Sequence, residues 1–265
     1  MIYFIIPAYN EEKNLPLLIK NTKAAMEELG TSYMIYIVND GSTDKTSDLC
    51  KEYSMTVPLR EIKFEKNAGV GSAFRRGFEE AFKVVKAGDM IITKEADNTS
   101  DPDILRKMIE LIHSGYDVVL ASCFAREGGV ENSTIDRHIL SFGANMLLKI
   151  SFPIRGVNTY SSFYRAYDAK RVKMAFEAYQ GRILEEKGFV CMVELLVKLS
   201  RLPLKITEEP MILKCDRREG QSKMRRSNTI IGYLKFIKQQ MLRSRKQDRL
   251  TKQRFAELAN AHAGS

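Results

Sequence analysis

A chain of 265 residues with 44% hydrophobic and 28% charged residues suits one large or two small soluble domains. Its apolar runs are too short for a bilayer span, Met1–Pro7 has no basic leader, and Cys50, Cys123, Cys191 and Cys215 show no paired spacing, which excludes a membrane bundle, a disulfide scaffold and a zinc ribbon and implies a reducing, cytoplasmic compartment. The net charge of +9 is lopsided: fourteen Lys/Arg against three Asp/Glu fall between Lys214 and Phe255, which marks either a polyanionic partner or a solvated basic surface.

Tyr3–Ile6 reads as a buried strand that turns through Pro7-Ala8-Tyr9-Asn10. Asn14 is placed to cap a helix reaching Leu29, with Leu15, Leu18, Ala25, Met26 and Leu29 at helical spacing. A strand over Tyr33–Val38 runs into Asn39-Asp40-Gly41-Ser42-Thr43-Asp44, then a helix to Tyr53 and a strand at Leu59–Phe64. Gly71–Val85 is predicted helical and Met90–Thr93 is the fourth strand. Asp101-Pro102, a capping residue before proline, starts the next helix, and Asp117–Ser122 is the fifth strand. Helices alternating with short β-branched strands predict an α/β fold, a mainly parallel sheet covered on both faces.

Past residue 130 the alternation weakens. Ile135–Ile150 and Val190–Leu199 read as helices, with short strands near Tyr164 and at Leu204–Ile206. Ile230–Leu242 gathers Ile230, Ile231, Leu234, Ile237, Met241 and Leu242 on one side and also carries Lys235 and Lys238. Such a helix is too short and too charged to span a bilayer, and it packs on protein or lies on a membrane surface. The expected organisation is a domain over 1–225 and a basic, amphipathic helical tail over 226–265.

In an open parallel sheet, ligands bind beyond the carboxyl ends of the strands. Three polar clusters fall there: Pro7–Glu12, Asn39–Asp44 and Glu95–Asp101. Converging acids repel one another unless a cation or hydrogen-bond donors compensate them. A hard divalent ion takes a few carboxylate oxygens plus phosphate and water, so the third cluster points to a metal-bridged diphosphate. Asp101 is set apart as the cap before Pro102.

The motifs Ile6-Pro7-Ala8-Tyr9-Asn10-Glu11-Glu12-Lys13-Asn14-Leu15, Val38-Asn39-Asp40-Gly41-Ser42-Thr43-Asp44-Lys45-Thr46 and Asn67-Ala68-Gly69-Val70-Gly71-Ser72-Ala73 resemble, in order and spacing, family 2 glycosyltransferases of the GT-A fold. Gly143-Ala144-Asn145, Phe163-Tyr164-Arg165-Ala166-Tyr167, Glu209-Pro210 and Arg217-Arg218-Glu219-Gly220-Gln221-Ser222-Lys223 resemble its dolichol-phosphate mannose synthase branch. The resemblance covers roughly residues 2–225 and implies a nucleotide-binding, Rossmann-like domain, to which the C-terminal amphipathic helix is an extension.

It also implies roles. Pro7, Tyr9, Glu11, Val38 and Asp40 would hold the nucleotide, and Glu95, Ala96 and Asp97 would meet the diphosphate. Glu95, Asp97 and Thr99 would bind a divalent metal (Mg or Mn), with Asp97 and Arg217 the catalytic pair and Lys223 beside Arg217 in a loop that closes over the donor. Arg137 and Ser141 would hold the acceptor phosphate, with Arg126 substituting for an arginine that the branch has at Cys123. Glu95, Asn39, Thr159 and Phe163 also depart from the family's pattern, which marks a side branch.

The implied reaction is an inverting transfer of a hexose from a nucleotide-sugar, GDP-mannose favoured and a UDP-sugar possible, to a polyprenyl or dolichyl phosphate. The basic tail would hold the enzyme peripherally at the cytoplasmic face of an anionic membrane. Two other functions stand beside it. One is a metal-dependent glycosyltransferase acting on a hydroxyl, with Glu185, Glu186 or Glu194 as general base. The other is a catalytically silent nucleotide-sugar-binding protein. Nucleic acid is not an expected partner, because the tail lacks interleaved aromatic platforms.

Overall fold

The computed structural model describes residues 1–220, 226–242 and 245–261, without the side chains of residues 137, 226, 227 and 245. Its first half alternates strand and helix: β1 (Ile2–Ala8), α1 (Leu15–Leu29), β2 (Tyr33–Asn39), α2 (Thr46–Tyr53), β3 (Leu59–Lys63), α3 (Val70–Phe82), β4 (Met90–Thr93), α4 (Leu105–His113) and β5 (Val118–Ser122). Because strand side chains alternate faces, Tyr3 and Ile5 enter one core with Phe74 and Phe78 of α3. Ile2, Phe4 and Ile6 enter the other, against Leu15, Leu18 and Ile19 of α1. Helices therefore cover both faces of the sheet.

The second half holds β6 (Gly129–Glu131), α5 (Ile135–Ser151), β7 (Arg165–Asp168), α6 (Ala169–Ala178), α7 (Cys191–Leu199), β8 (Ile206–Pro210), β9 (Ile212–Lys214), α8 (Arg226–Met241) and α9 (Arg245–Ala261). The seven-stranded sheet has the order β3-β2-β1-β4-β7-β5-β8, and β6 pairs with β9 in a separate two-stranded ribbon. Only β7 runs against its neighbours, Thr93 opposite Arg165 on one side and Val119 opposite Ala166 on the other. The register of β1, with Ala8 beside Asn39 and Ile5 beside Thr93, brings the loops after β1, β2 and β4 to one edge. Between β1 and β4 the strand order reverses, the position at which an α/β sheet opens a crevice.

The structure moves one expected strand and adds three elements. The strand expected near Tyr164 is Arg165–Asp168, while the one expected at Leu204–Ile206 spans Ile206–Pro210. α6, β6 and β9 had no counterpart in the reading, and α9 falls within the helical tail expected over 226–265; β6 and β9 have three residues each, too few to show a period. The C-terminal helices pack on the domain. Tyr233 and Phe236 of α8 and Phe255 of α9 are buried in the α3 core, with the Phe236 ring 5.7 Å from that of Phe152. The side of α8 read as apolar is split. Ile237 packs inward, but Ile231, Leu234, Met241 and Leu242 are all at least half exposed. Two aromatic rings one turn apart bury more area than the aliphatic stripe, so they decide which face turns in.

Candidate active site

At the end of β2, Asn39 donates to Glu61 Oε1 at 2.6 Å and to Ser47 Oγ at 3.1 Å, and accepts from the Ser42 amide at 2.9 Å. A carboxylate at 39 would face that of Glu61, which accounts for the amide where the family often has an acid. Asp40 accepts the amides of Ala68 and Gly69, one on each oxygen, at 2.7 and 2.9 Å. Burial raises its pKa and those two amides oppose the rise. Asp40 thereby fixes the entry to α3. There Gly69, at φ 95°, and Gly71 lie against the carbonyls of Lys187 and Glu186, where any Cβ would collide. The Gly71 amide donates to Lys187 O at 2.8 Å.

The loop behind those carbonyls is anchored by Glu194 of α7. Its Oε2 accepts the amides of Glu185 and Glu186 at 2.7 and 2.8 Å, and its Oε1 takes the Lys198 ammonium at 2.6 Å. Glu194 is buried and fully engaged, a structural partner. Neither it, Glu185 nor Glu186 lines the cavity described below.

The segment after β4 carries the acids. Asn98, at φ 60°, turns the chain and donates from Nδ2 to Asn14 O at 2.9 Å. Asp97 Oδ1 accepts from the Thr99 amide at 3.1 Å and the Thr99 hydroxyl at 2.7 Å. Asp97 Oδ2 accepts from Arg218 Nε at 2.8 Å and also from Arg218 Nη2. Burial, and then the charge of Asp97, push the Glu95 carboxyl up to about 7. Lys94 is buried beneath them, its Nζ 5.0 Å from the centre of the Tyr164 ring, and burial lowers its pKa while the nearby acids oppose that. Asp101 caps the turn at Pro102–Ile104 through the Asp103 amide, at 3.2 Å, and pairs with Lys214 at 3.2 Å.

Among the described residues no group of three or more His, Cys, Asp or Glu is arranged to cage a metal. Two repelling carboxylates at a cavity wall instead fit an ion of the Mg²⁺ type, which uses one or two carboxylates and takes its other oxygens from substrate phosphate and water. Glu95 and Asp97 could hold it. The Thr99 hydroxyl is committed to Asp97 and orients that carboxylate.

One cavity of about 700 Å³ joins these elements. Pro7, Tyr9, Glu11 and Asp40 line one end, and Glu95, Ala96, Asp97 and Thr99 the middle. Ser141 lies on the far wall, where Phe124, Leu140, Leu148, Phe163 and Tyr233 make the surface largely apolar. Val38 lies elsewhere: its side chain is in the core against α3, because it sits within β2 rather than past its end. Arg126 is exposed and, like Arg217, does not line the cavity. Lys223 and the side chain of Arg137 fall outside the described residues, although the backbone of Arg137 belongs to α5.

Three contributors were not assigned to the site from the sequence. Arg218, one place beyond Arg217, is the only Lys or Arg lining the cavity among the described residues. Asn14 does not cap α1 with its side chain; it donates to Glu11 Oε2 at 2.7 Å and clasps the backbone of Glu219, through both N–H and C=O, at 3.0 Å each. Glu208 accepts the amides of Asn158 and Thr159 at 2.7 and 2.6 Å, shaping the loop on the apolar side. Cys123 also lines the cavity; burial pushes its thiol up to about 11, so it is neutral where the resembled branch has a cation.

Next to the cavity, α5 turns an apolar stripe outward. Ile135, Ile139, Phe142 and Ile150 are 79%, 64%, 49% and 73% exposed, and share one helical face. No helix among the described residues is long and apolar enough to cross a membrane.

Comparison with known proteins places this geometry. A model of glycosyl transferase family 2 matches residues 3–183. A dolichol-phosphate mannosyltransferase of Pyrococcus furiosus is 33% identical over 94% of this chain, and the chain spans 66% of that relative's length. A polyprenol monophosphomannose synthase of Mycolicibacterium smegmatis is 27% identical, over 84% of this chain and 81% of the relative. The crystal structure of glucosyl-3-phosphoglycerate synthase from Mycobacterium tuberculosis with Mg²⁺ and uridine diphosphate superposes with a TM-score of 0.59 at 15% identity, over 89% of this chain and 79% of that one. At that identity the likeness speaks for the fold.

Proposed function

The chain belongs to glycosyl transferase family 2, and from that premise we propose that it moves a hexose from a nucleotide-sugar to a polyprenyl or dolichyl phosphate at a membrane surface. The observation that carries this reading is the continuity of the cavity, polar and acidic beneath the strand ends and largely apolar beneath α5. The polar end suits a nucleotide and its diphosphate; the apolar end suits the first units of an isoprenoid chain. The relatives named for dolichol and polyprenol phosphate support the acceptor; GDP-mannose is our favoured donor and a UDP-sugar the alternative.

In this mechanism Pro7, Tyr9 and Glu11 border the nucleotide, and Asp40 keeps the entry to α3 in place beside it. Glu95 and Asp97 would hold a divalent ion, which would supply positive charge to the leaving diphosphate. Thr99 keeps Asp97 oriented, and Arg217 and Lys223 would supply positive charge to the donor's diphosphate. A phosphate monoester is already an anionic nucleophile near neutrality and needs no general base, which agrees with a cavity lining that does not include Glu185, Glu186 or Glu194. Ser141 and Arg137 from α5, with Arg126 from the loop after β5, would steady that phosphate. A single in-line displacement inverts the anomeric carbon. The exposed stripe of α5 and the cations that follow Lys214 favour peripheral binding to the cytoplasmic face of an anionic bilayer.

The test offers the purified chain Mn²⁺, GDP-mannose or UDP-sugars, and either polyprenyl phosphate in anionic vesicles or soluble glycans. Radiolabelled sugar recovered on the lipid phosphate is the expected outcome. Transfer to hydroxyl acceptors alone would reject the reading in favour of a glycan-directed enzyme.

A further inference from the structure

Residues 214–220 are fastened beside the cavity: Lys214 pairs with Glu131 in the β6–β9 ribbon, and further ties reach the acid cluster and Asn14. The Lys214 amide donates to Thr99 O at 2.9 Å, and its ammonium pairs with Asp101 at 3.2 Å. The Glu219 backbone is clasped by Asn14. Arg218, 20% exposed, forks onto Asp97 Oδ2. Of these ties the last is the one made by the carboxylate that the metal assignment requires.

Every hydrogen bond to Asp97 is spoken for in a telling way. Oδ1 receives two donors from Thr99, within its own turn, and Oδ2 receives two from the guanidinium. Thr99 leaves the carboxylate's charge uncompensated, because an amide and a hydroxyl are neutral. The full positive charge comes from Arg218, at hydrogen-bond distance on Oδ2. A divalent ion on that oxygen would sit in contact with the guanidinium, and two cations at such separation repel strongly in a partly buried site.

Resting on the metal assignment in the proposed function, we infer that Arg218 is the resident counter-ion of Asp97 and that it and the divalent cation exclude one another. Loading the ion releases Arg218 from Asp97 and frees it for the donor's phosphates, while Lys214 and Glu219 keep their ties to Thr99, Asp101 and Asn14. Without the ion Arg218 stays on Asp97 and compensates its charge.

The experiment titrates Mn²⁺ alone, without nucleotide or lipid, into the full chain and follows free ion by electron paramagnetic resonance. Arg218→Gln is expected to bind Mn²⁺ about ten- to a hundredfold more tightly than the unaltered protein, the value of releasing a charged hydrogen-bonded pair. Arg218→Lys, which keeps the charge but not the fork, should fall between them. Amide hydrogen exchange supplies a second readout: Mn²⁺ should speed exchange around position 218 in the unaltered protein, while in Arg218→Gln it is fast from the start. Unchanged or weaker Mn²⁺ binding by Arg218→Gln overturns the exclusion, as does protection around position 218 by Mn²⁺. Asp97→Asn separates the two ideas. If it abolishes ion binding while Arg218→Gln changes nothing, only the exclusion falls; if it binds Mn²⁺ like the unaltered protein, the metal assignment falls with it.

Discussion

The two walls of the cavity are held by different means. Beyond β1, β2 and β4 the chain is tied by side-chain hydrogen bonds to loop backbone and side chains, within one loop for Thr99 to Asp97 and Asn39 to Ser42, and between two loops for Asp40 to Ala68 and Gly69. Across from them α5, the loop at 157–163 and α8 are held by packing of Leu148, Phe163 and Tyr233, and the polar groups there, Glu208 and Asn145, hold backbone. The first wall manages charge, so its geometry has to be fixed to the length of a hydrogen bond. The second accommodates bulk, so volume matters more than direction.

That contrast would break if acids in the first wall could be lost without consequence. Asp97→Ala should lower sugar transfer by about a thousandfold, as loss of a principal electrostatic group does, with little change in the unfolding midpoint in urea. The second wall should answer in stability. Phe236→Ala removes a buried ring and should cost about 3 kcal/mol in urea unfolding, whereas Leu234→Ala, half exposed on the same helix, should stay within about 0.5 kcal/mol. Glu208→Gln, which weakens the clamp on Asn158 and Thr159, should cost about 1.5 kcal/mol and loosen binding of lipid more than of nucleotide.

Acidity sharpens the comparison from the other side. Glu95, with its carboxyl pushed up to about 7, must lose a proton before it can hold an ion. Mn²⁺ affinity should therefore rise about tenfold per pH unit below that value and level off above it, a slope that Glu95→Gln removes. The same shift has a stability sign. Between the ordinary 4.5 and about 7 the folded state keeps a proton that the unfolded chain has lost, so stability declines as pH rises through that interval. Smallest is the outward stripe: Ile139→Glu should weaken co-sedimentation with anionic vesicles by roughly fivefold and leave nucleotide affinity unchanged.

Much of the fold was legible in the residues because it is written at short range. The first five strands and the helices between them follow from apolar runs, turn residues and the Asp101-Pro102 start, and each is settled within about a dozen neighbours. The same locality explains why the strand-end clusters around Tyr9, Asp40 and Asp97 could be expected to meet: parallel strands must deliver their carboxyl ends to one edge. Beyond residue 130 the elements draw their stability from distant partners. The antiparallel insertion of β7 and the inward turn of Tyr233 rather than Leu234 are therefore not visible in local period.

The sequence by itself determined the class of fold, the family's motifs and the cluster of acids after β4, since pattern and spacing along the chain carry all three. Only the tertiary structure decided that Arg218 rather than Arg217 lies on Asp97, that Asn14 clasps Glu219 instead of capping its helix, and that Val38 is in the core. The reason is distance along the chain. Asp97 and Arg218 are 121 positions apart and Asn14 and Glu219 are 205 apart, and which of two adjacent arginines reaches a carboxylate depends on the direction in which a folded loop presents its side chains.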